Sequence, residues 1–107
     1  MSEVLDTELC TTTDQAWVAL GKRWSGLIID LLLQRPARFS EIERGVPGLS
    51  NRVLGERLRE LEALGLVARN VDPGPPISTT YALTPRGEGL RPALDALRAW
   101  ANAGDAG

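Results

Sequence analysis

The sequence predicts an α+β domain, mostly helical, in which a helix-turn-helix runs straight into a β-hairpin. Three observations predict it. Two helical segments lie within Phe39–Leu66, parted only by a break at Pro47-Gly48. The second carries Leu54, Leu58 and Leu61 at i, i+4 and i+7, which is one face of an α-helix. Directly after it, Leu66–Asn70 and Ile77–Leu83 are alternating or β-branched segments around Val71-Asp-Pro-Gly-Pro-Pro76, the pattern of a hairpin with a proline-stiffened tip. That order of elements is a winged helix-turn-helix, with the hairpin as the wing.

Each element has its own signals. Residues Met1–Leu9 read as loose, and Thr11-Thr12-Thr13 offer caps for a short helix over about residues 13–20 that Gly21 ends. Trp24–Leu33 is apolar nearly all round, which predicts the buried central helix, stopped by Gln34-Arg35-Pro36. Arg38-Phe39 is placed to add a small third strand beside the wing. Ser40, with Glu43 three residues on, forms a capping-box pattern for the first helix of the pair. Ser50 caps the second, and Gly65 ends it in the left-handed conformation. Thr84 caps, and Pro85 starts, one long final helix over about residues 85–102, with apolar positions Leu90, Leu94, Leu97 and Trp100, after which the chain reads as frayed.

Length and composition bound the answer. At 107 residues the chain is a single domain, with a core over about residues 22–84 flanked by the two outer helices. No apolar run approaches a membrane span, and the acidic start MSEVLDTEL lacks a signal-peptide pattern, so the expected location is cytoplasmic, without a membrane partner. One cysteine excludes an internal disulfide framework. One thiol and no histidine leave no metal site, and nothing calls for a cofactor. The net charge of −2 is unevenly spread: Met1–Gly21 holds four acids and no base, whereas Lys22–Arg69 holds nine bases against six acids. Eleven of the twelve cations are arginine, which suits phosphate and guanine forks.

The second helix of the pair is the candidate reading element. With Leu54, Leu58 and Leu61 turned inward, its outward face carries Arg52, Gly55, Glu56 and Arg59, with Asn51 at the leading edge. Amide and guanidinium forks match base edges in a major groove, and a glycine permits close approach. Alone, such a face is equally a solvated surface with (i, i+3/i+4) ion pairs; the hairpin behind it favours double-stranded DNA. Ser40, Ser50, Arg69 and Ser78 complete the expected DNA-contacting set. The outer helices either fold back on their own domain or, through Trp17, Leu90, Leu94, Leu97 and Trp100, pair two chains. Aromatic and leucine stripes favour pairing, and a two-fold dimer would set two reading heads on a pseudo-palindromic operator.

The segments LGKRW (residues 20–24), RPARFSEI (35–42), PGLS (47–50), LGERLRELE (54–62), GLVAR (65–69) and YALTPRG (81–87), in this order and spacing, resemble the HxlR-type family of bacterial winged-helix regulators. The resemblance spans about Cys10–Ala101. It implies a homodimeric repressor that binds operator DNA with the helix beginning at Asn51 and with the wing around Val71–Ser78. The cysteine 14 residues before Trp24 is similar to that of family members sensing quinones, aldehydes or disulfide stress. Carried over, it makes Cys10 the redox-sensing thiol and an electrophile or oxidant the input. A thiol near a helix N-terminus, close in sequence to Lys22 and Arg23, has a depressed pKa and reacts as thiolate. The bland alternative is a small semi-buried apolar residue.

Two departures from the family pattern stand out. There is no second cysteine near the C-terminus, so an oxidised Cys10 has only Cys10 of another subunit or a low-molecular-weight thiol to resolve it. The wing has Ile77-Ser78-Thr79-Thr80 where relatives often carry a base after the prolines. Other readings stay open: a regulator with a small-molecule inducer held between the dimer helices near Trp17, Trp24 and Trp100, or a winged helix used only for protein interaction. No catalytic residue is expected. The chain has no histidine, no glycine-rich phosphate loop and no paired carboxylate with a catalytic look, so an enzyme is the poorest fit.

Overall fold

A computed structural model describes the backbone of residues 7–105 and the side chains of residues 12–104. Its elements are α1 (Thr7–Leu20), α2 (Arg23–Leu32), β1 (Ala37–Arg38), α3 (Phe39–Gly45), α4 (Asn51–Ala63), β2 (Val67–Asp72), β3 (Ser78–Leu83), α5 (Pro85–Glu88) and α6 (Arg91–Asp105). The three strands form one antiparallel sheet in the order β1-β3-β2. The wing pairs in register from Val67 opposite Leu83 to Asp72 opposite Ser78, and β1 adds Ala37 opposite Tyr81. This is the winged helix-turn-helix expected. No helix among the described residues is long and apolar enough to cross a membrane.

One core serves the whole head. Ile28 and Ile29 of α2, Ile42 of α3, and Leu54, Leu58 and Leu61 of α4 are fully buried, with Leu66 and Val67 closing the sheet side. Each such side chain contributes roughly 1.5–3 kcal/mol by leaving water, so the leucine ridge fixes which face of α4 is turned out. The turn after α4 is equally defined. Gly65 takes φ +75, its amide donates to the Glu62 carbonyl, and the Leu66 amide donates to that of Leu61. Both bonds, with the buried Leu61–Leu66 pair, make a Schellman end that aims the chain into β2.

Several expectations are corrected. Helix α1 starts at Thr7, so Thr11–Thr13 lie inside it rather than capping it, and the start of the supposedly loose stretch, Met1–Asp6, lies outside the described residues. The third strand is Ala37–Arg38, one residue earlier than expected, because Phe39 already opens α3. Ser40 does not cap α3; the cap position is Arg38, whose backbone amide donates to Glu41 Oε1 at 2.9 Å. Strand β2 runs two residues further, to Asp72. The final helix is two helices, α5 and α6. Pro92 has no amide to donate to the Glu88 carbonyl, so the ladder breaks there. Helix α6 then continues to Asp105, through residues expected to fray.

Candidate nucleic-acid interface

Helix α4 is anchored at its start by Ser50, whose Oγ accepts from the Val53 amide at 3.2 Å. That bond gives Ser50 a capping role, leaving only its own proton for a phosphate. Asn51, Arg52 and Arg59 are exposed beyond the cap, while Gly55 and Glu56 are half-buried between them. Arg52 and Arg59 are seven residues apart, two turns along one face. The Arg59 guanidinium lies over Gly55, where a Cβ would meet Nη1 at 3.6 Å. Arg69 is exposed on β2, and Ser78 is half-buried where β3 leaves the wing tip.

Sequence reasoning missed two arginines. Exposed Arg38 and Arg44 flank Ser40 around a polar hollow on the outer side of α3. Finding them requires knowing which cations are already engaged. Among the described residues no ion pair involves Arg38, Arg44, Arg52, Arg59 or Arg69, whereas Arg35, Arg57, Arg91 and Arg98 are all paired with carboxylates. The acid nearest the hollow is neutralised locally. Arg35 Nη2 donates to Glu41 Oε2 at 2.7 Å, and with the Arg38 amide this holds the Glu41 carboxyl down to about 2. A polyanion approaching this head therefore meets guanidinium groups that make no ion pair among the described residues, with Glu41, which lines the hollow, held by Arg35 and within the field of Arg38.

The wing tip is different. Asp72 Oδ1 accepts from the Gly74 amide, Val71 and Ile77 are exposed, and no cation lies between Asp72 and Ser78. Any phosphate contact there comes from backbone or hydroxyl groups.

The expected pairing surface divides. Leu94 is 9% exposed and belongs to the protomer's own core, and Leu90 packs against that core. Trp17, Leu97 and Trp100 are 65%, 54% and 77% exposed. Trp24 is half-buried with Arg23 stacked 4.6 Å from its ring. The expected inducer site near Trp17, Trp24 and Trp100 is not where the apolar groove lies. A groove of about 470 Å³ runs between α1 and α5, lined by Val18, Ala19, Leu64, Leu66, Arg86 and Leu90 among others, with no tryptophan in its wall.

Cys10 lies in the first turn of α1, while its side chain is outside the described residues. The remainder of α1 separates it from Lys22 by roughly 15 Å of helix axis or more. Lys22 is also engaged by Glu60. The length of α1 thus sets the backbone of Lys22 and Arg23 apart from the turn that carries Cys10.

The model of the HxlR-like helix-turn-helix family matches residues 19–105. Two Bacillus subtilis proteins are similar over most of their length. The uncharacterized HTH-type transcriptional regulator YvaP is 46% identical over 95 residues, 89% of this chain and 88% of its own. The HTH-type transcriptional regulator YodB is 42% identical over 94 residues, 88% of this chain and 84% of its own. The structure of reduced YodB superposes with a TM-score of 0.78, covering 85% of this chain and 89% of that one, and YodB has also been solved diamide-treated and quinone-bound. The redox regulator HypR in its oxidized form gives a TM-score of 0.81 at 30% identity, covering 86% and 95%.

Proposed function

The chain belongs to the HxlR-like helix-turn-helix family of transcriptional regulators, and from that premise we propose that it is a homodimeric repressor of a pseudo-palindromic operator, released from DNA when Cys10 reacts with an electrophile or oxidant. The head, about residues 22–84, reads the operator. The outer helices, placed from sequence at about 13–20 and 85–102, pair the two copies. The observation that carries the reading is the set of arginines on the head that make no ion pair among the described residues, with Arg52 and Arg59 on the outward face of a helix whose opposite face is locked in the core. Asn51, Arg52 and Arg59, with Glu56 and the gap at Gly55, would read base edges. Ser40, Ser50, Arg38, Arg44, Arg69 and Ser78 would hold the phosphates.

The test uses a duplex selected by the wild-type chain from a random-sequence pool. Arg52→Ala and Arg59→Ala should each weaken binding by about 1–3 kcal/mol, roughly ten- to a hundredfold, with the fold unchanged by circular dichroism. Unchanged gel shifts in both variants defeat the assigned face.

The thiol switch rests on the position of Cys10 in the first turn of α1 and on the redox-regulator relatives. With a quinone, the thiolate sulfur bonds to a ring carbon and the ring is reduced to the hydroquinone thioether as a proton is taken up. With diamide, the thiolate adds to the N=N bond, and a second thiol displaces the resulting hydrazine to leave a disulfide. That second thiol is Cys10 of the other subunit or a small thiol, because the chain has no other. Either reagent should release DNA from wild type and not from Cys10→Ser, read on a DNA shift beside a non-reducing gel. Equal release from both makes Cys10 a bystander.

A second reading, a small-molecule inducer without a thiol switch, is favoured by one observation: the apolar groove between α1 and α5 with Arg86, which makes no ion pair among the described residues, at its wall. Saturable release of DNA from Cys10→Ser by a non-electrophilic ligand would select it. The third, a winged helix used only for protein interaction, predicts no salt-dependent DNA affinity.

A further inference from the structure

One charged cluster ties α4 to the α1–α2 joint. Lys22 Nζ donates to both Glu60 carboxylate oxygens at 3.2 Å, and Arg57 Nη1 donates to Glu60 Oε1 at 2.6 Å. The Arg57 side chain is only 18% exposed, and its Nε is buried with no hydrogen-bond partner. Among the described residues, Glu60 supplies the only carboxylate that holds this guanidinium in place. Lys22 sits at the joint between α1 and α2, 38 residues away in sequence. That joint is tight: a Cβ at Gly21 would lie 2.3 Å from the Trp17 carbonyl oxygen.

Apolar contacts set how deeply α4 lies in the core, but they are not directional. Leucine side chains tolerate small rotations and slides of the helix that would carry Arg52 and Arg59 out of register with a groove. A carboxylate gripped from one side by its own helix and from the other by the α1–α2 joint is directional. As half-exposed pairs, these bonds add little to stability. Their consequence is orientation.

We infer that Glu60, with Lys22 and Arg57, positions α4 for operator binding and ties its setting to the joint at the end of α1. This rests on the DNA-binding reading above. None of the three touches the operator; they act through Arg52 and Arg59. Movement of α1 is thereby passed to the reading helix through a side-chain bridge as well as through the core.

The test measures affinity for the selected duplex by fluorescence anisotropy across a salt series, for wild type, Glu60→Gln, Lys22→Met, the double variant and Lys22→Arg. Each of the first two should lose about tenfold in affinity. The double variant should lose no more than the weaker single, and Lys22→Arg should retain wild-type binding. Thermal midpoints should stay within a few degrees, and the slope of log affinity against log salt should not change. A slope lower by about one unit in Lys22→Met would mean that Lys22 meets a phosphate directly, and would overturn the inference. So would additive losses, which deny the coupling, or unaffected single variants. Wild-type protein that binds no DNA removes the functional reading as well; wild-type binding with unaffected variants removes only the bridge.

Discussion

The reading head and the outer helices of this chain solve opposite problems. The head is finished within one protomer: α4 is capped by Ser50, closed by the Gly65 turn, and seated on a fully buried leucine ridge. On the outward face of α4 it leaves Arg52 and Arg59 exposed, with no ion pair to either among the described residues. The outer helices leave apolar surface outside instead, with Trp17, Val18, Leu97 and Trp100 all exposed. A protein surface seldom spends so many large apolar groups in neighbouring elements without a partner. On the proposed reading, specificity belongs to the unit that is finished within one protomer, and a second copy covers the apolar surface that the outer helices leave exposed.

The widest break in that contrast is made in the head. Leu58 is fully buried beneath the reading face, so Leu58→Ala should cost about 2–5 kcal/mol of stability, as cavity-forming leucine truncations do. Denaturant unfolding should show a lower midpoint, and DNA affinity should fall only as far as the folded fraction falls. A variant as stable as wild type would mean that the ridge does not hold α4. The outer helices should respond the other way. Trp100→Ala should leave the circular dichroism of the full chain nearly unchanged yet weaken dimerisation by about 2 kcal/mol or more, as loss of an interface anchor does. Sedimentation equilibrium across a dilution series reads that directly. A concentration-independent monomer in wild type would end the pairing proposal, and with it the palindromic operator.

The same contrast explains what the sequence made legible. Several features set by local chemistry could be read ahead: the Ser50 cap, the left-handed Gly65, the Thr84 cap whose Oγ accepts from Gly87, and the period of Leu54, Leu58 and Leu61. Two of the errors were also local, but they came from competition. Ser40 looked like a cap, yet the chain leaving β1 puts Arg38 there, and Glu41 reaches back to its amide. Pro92 was passed over inside a strong apolar period, although it had to break the ladder. What no local rule could supply is pairing between distant charges. Arg57 and Arg59 look alike in sequence, but Glu60 holds the first inward with Lys22 while the second stays free. Leu94 and Leu97 share one stripe, yet only Leu94 reaches the protomer's own core.

The smallest effect belongs to the junction of β1 and α3, and its sign is fixed by Glu41. The Arg35 guanidinium first, and the Arg38 amide second, hold this carboxyl at about 2 instead of its usual 4.5. A group whose pKa is depressed on folding contributes stability that is complete above its unfolded value and is lost as the folded state takes up the proton. For Glu41 the loss therefore runs from about 4.5 downward to about 2, and nothing changes near neutrality. Because the pair lies at the surface, solvent screens it, and global unfolding will report it poorly. Residue-level observation is the suitable probe: the Arg38 amide resonance should titrate with a midpoint near 2, and Glu41→Gln should abolish that titration while leaving α3 folded at pH 7. A midpoint near 4.5 would mean that Arg35 does not engage Glu41 in solution. The start of α3 would then lack its brace, and the hollow between Arg38 and Arg44 would carry an acid able to repel a phosphate.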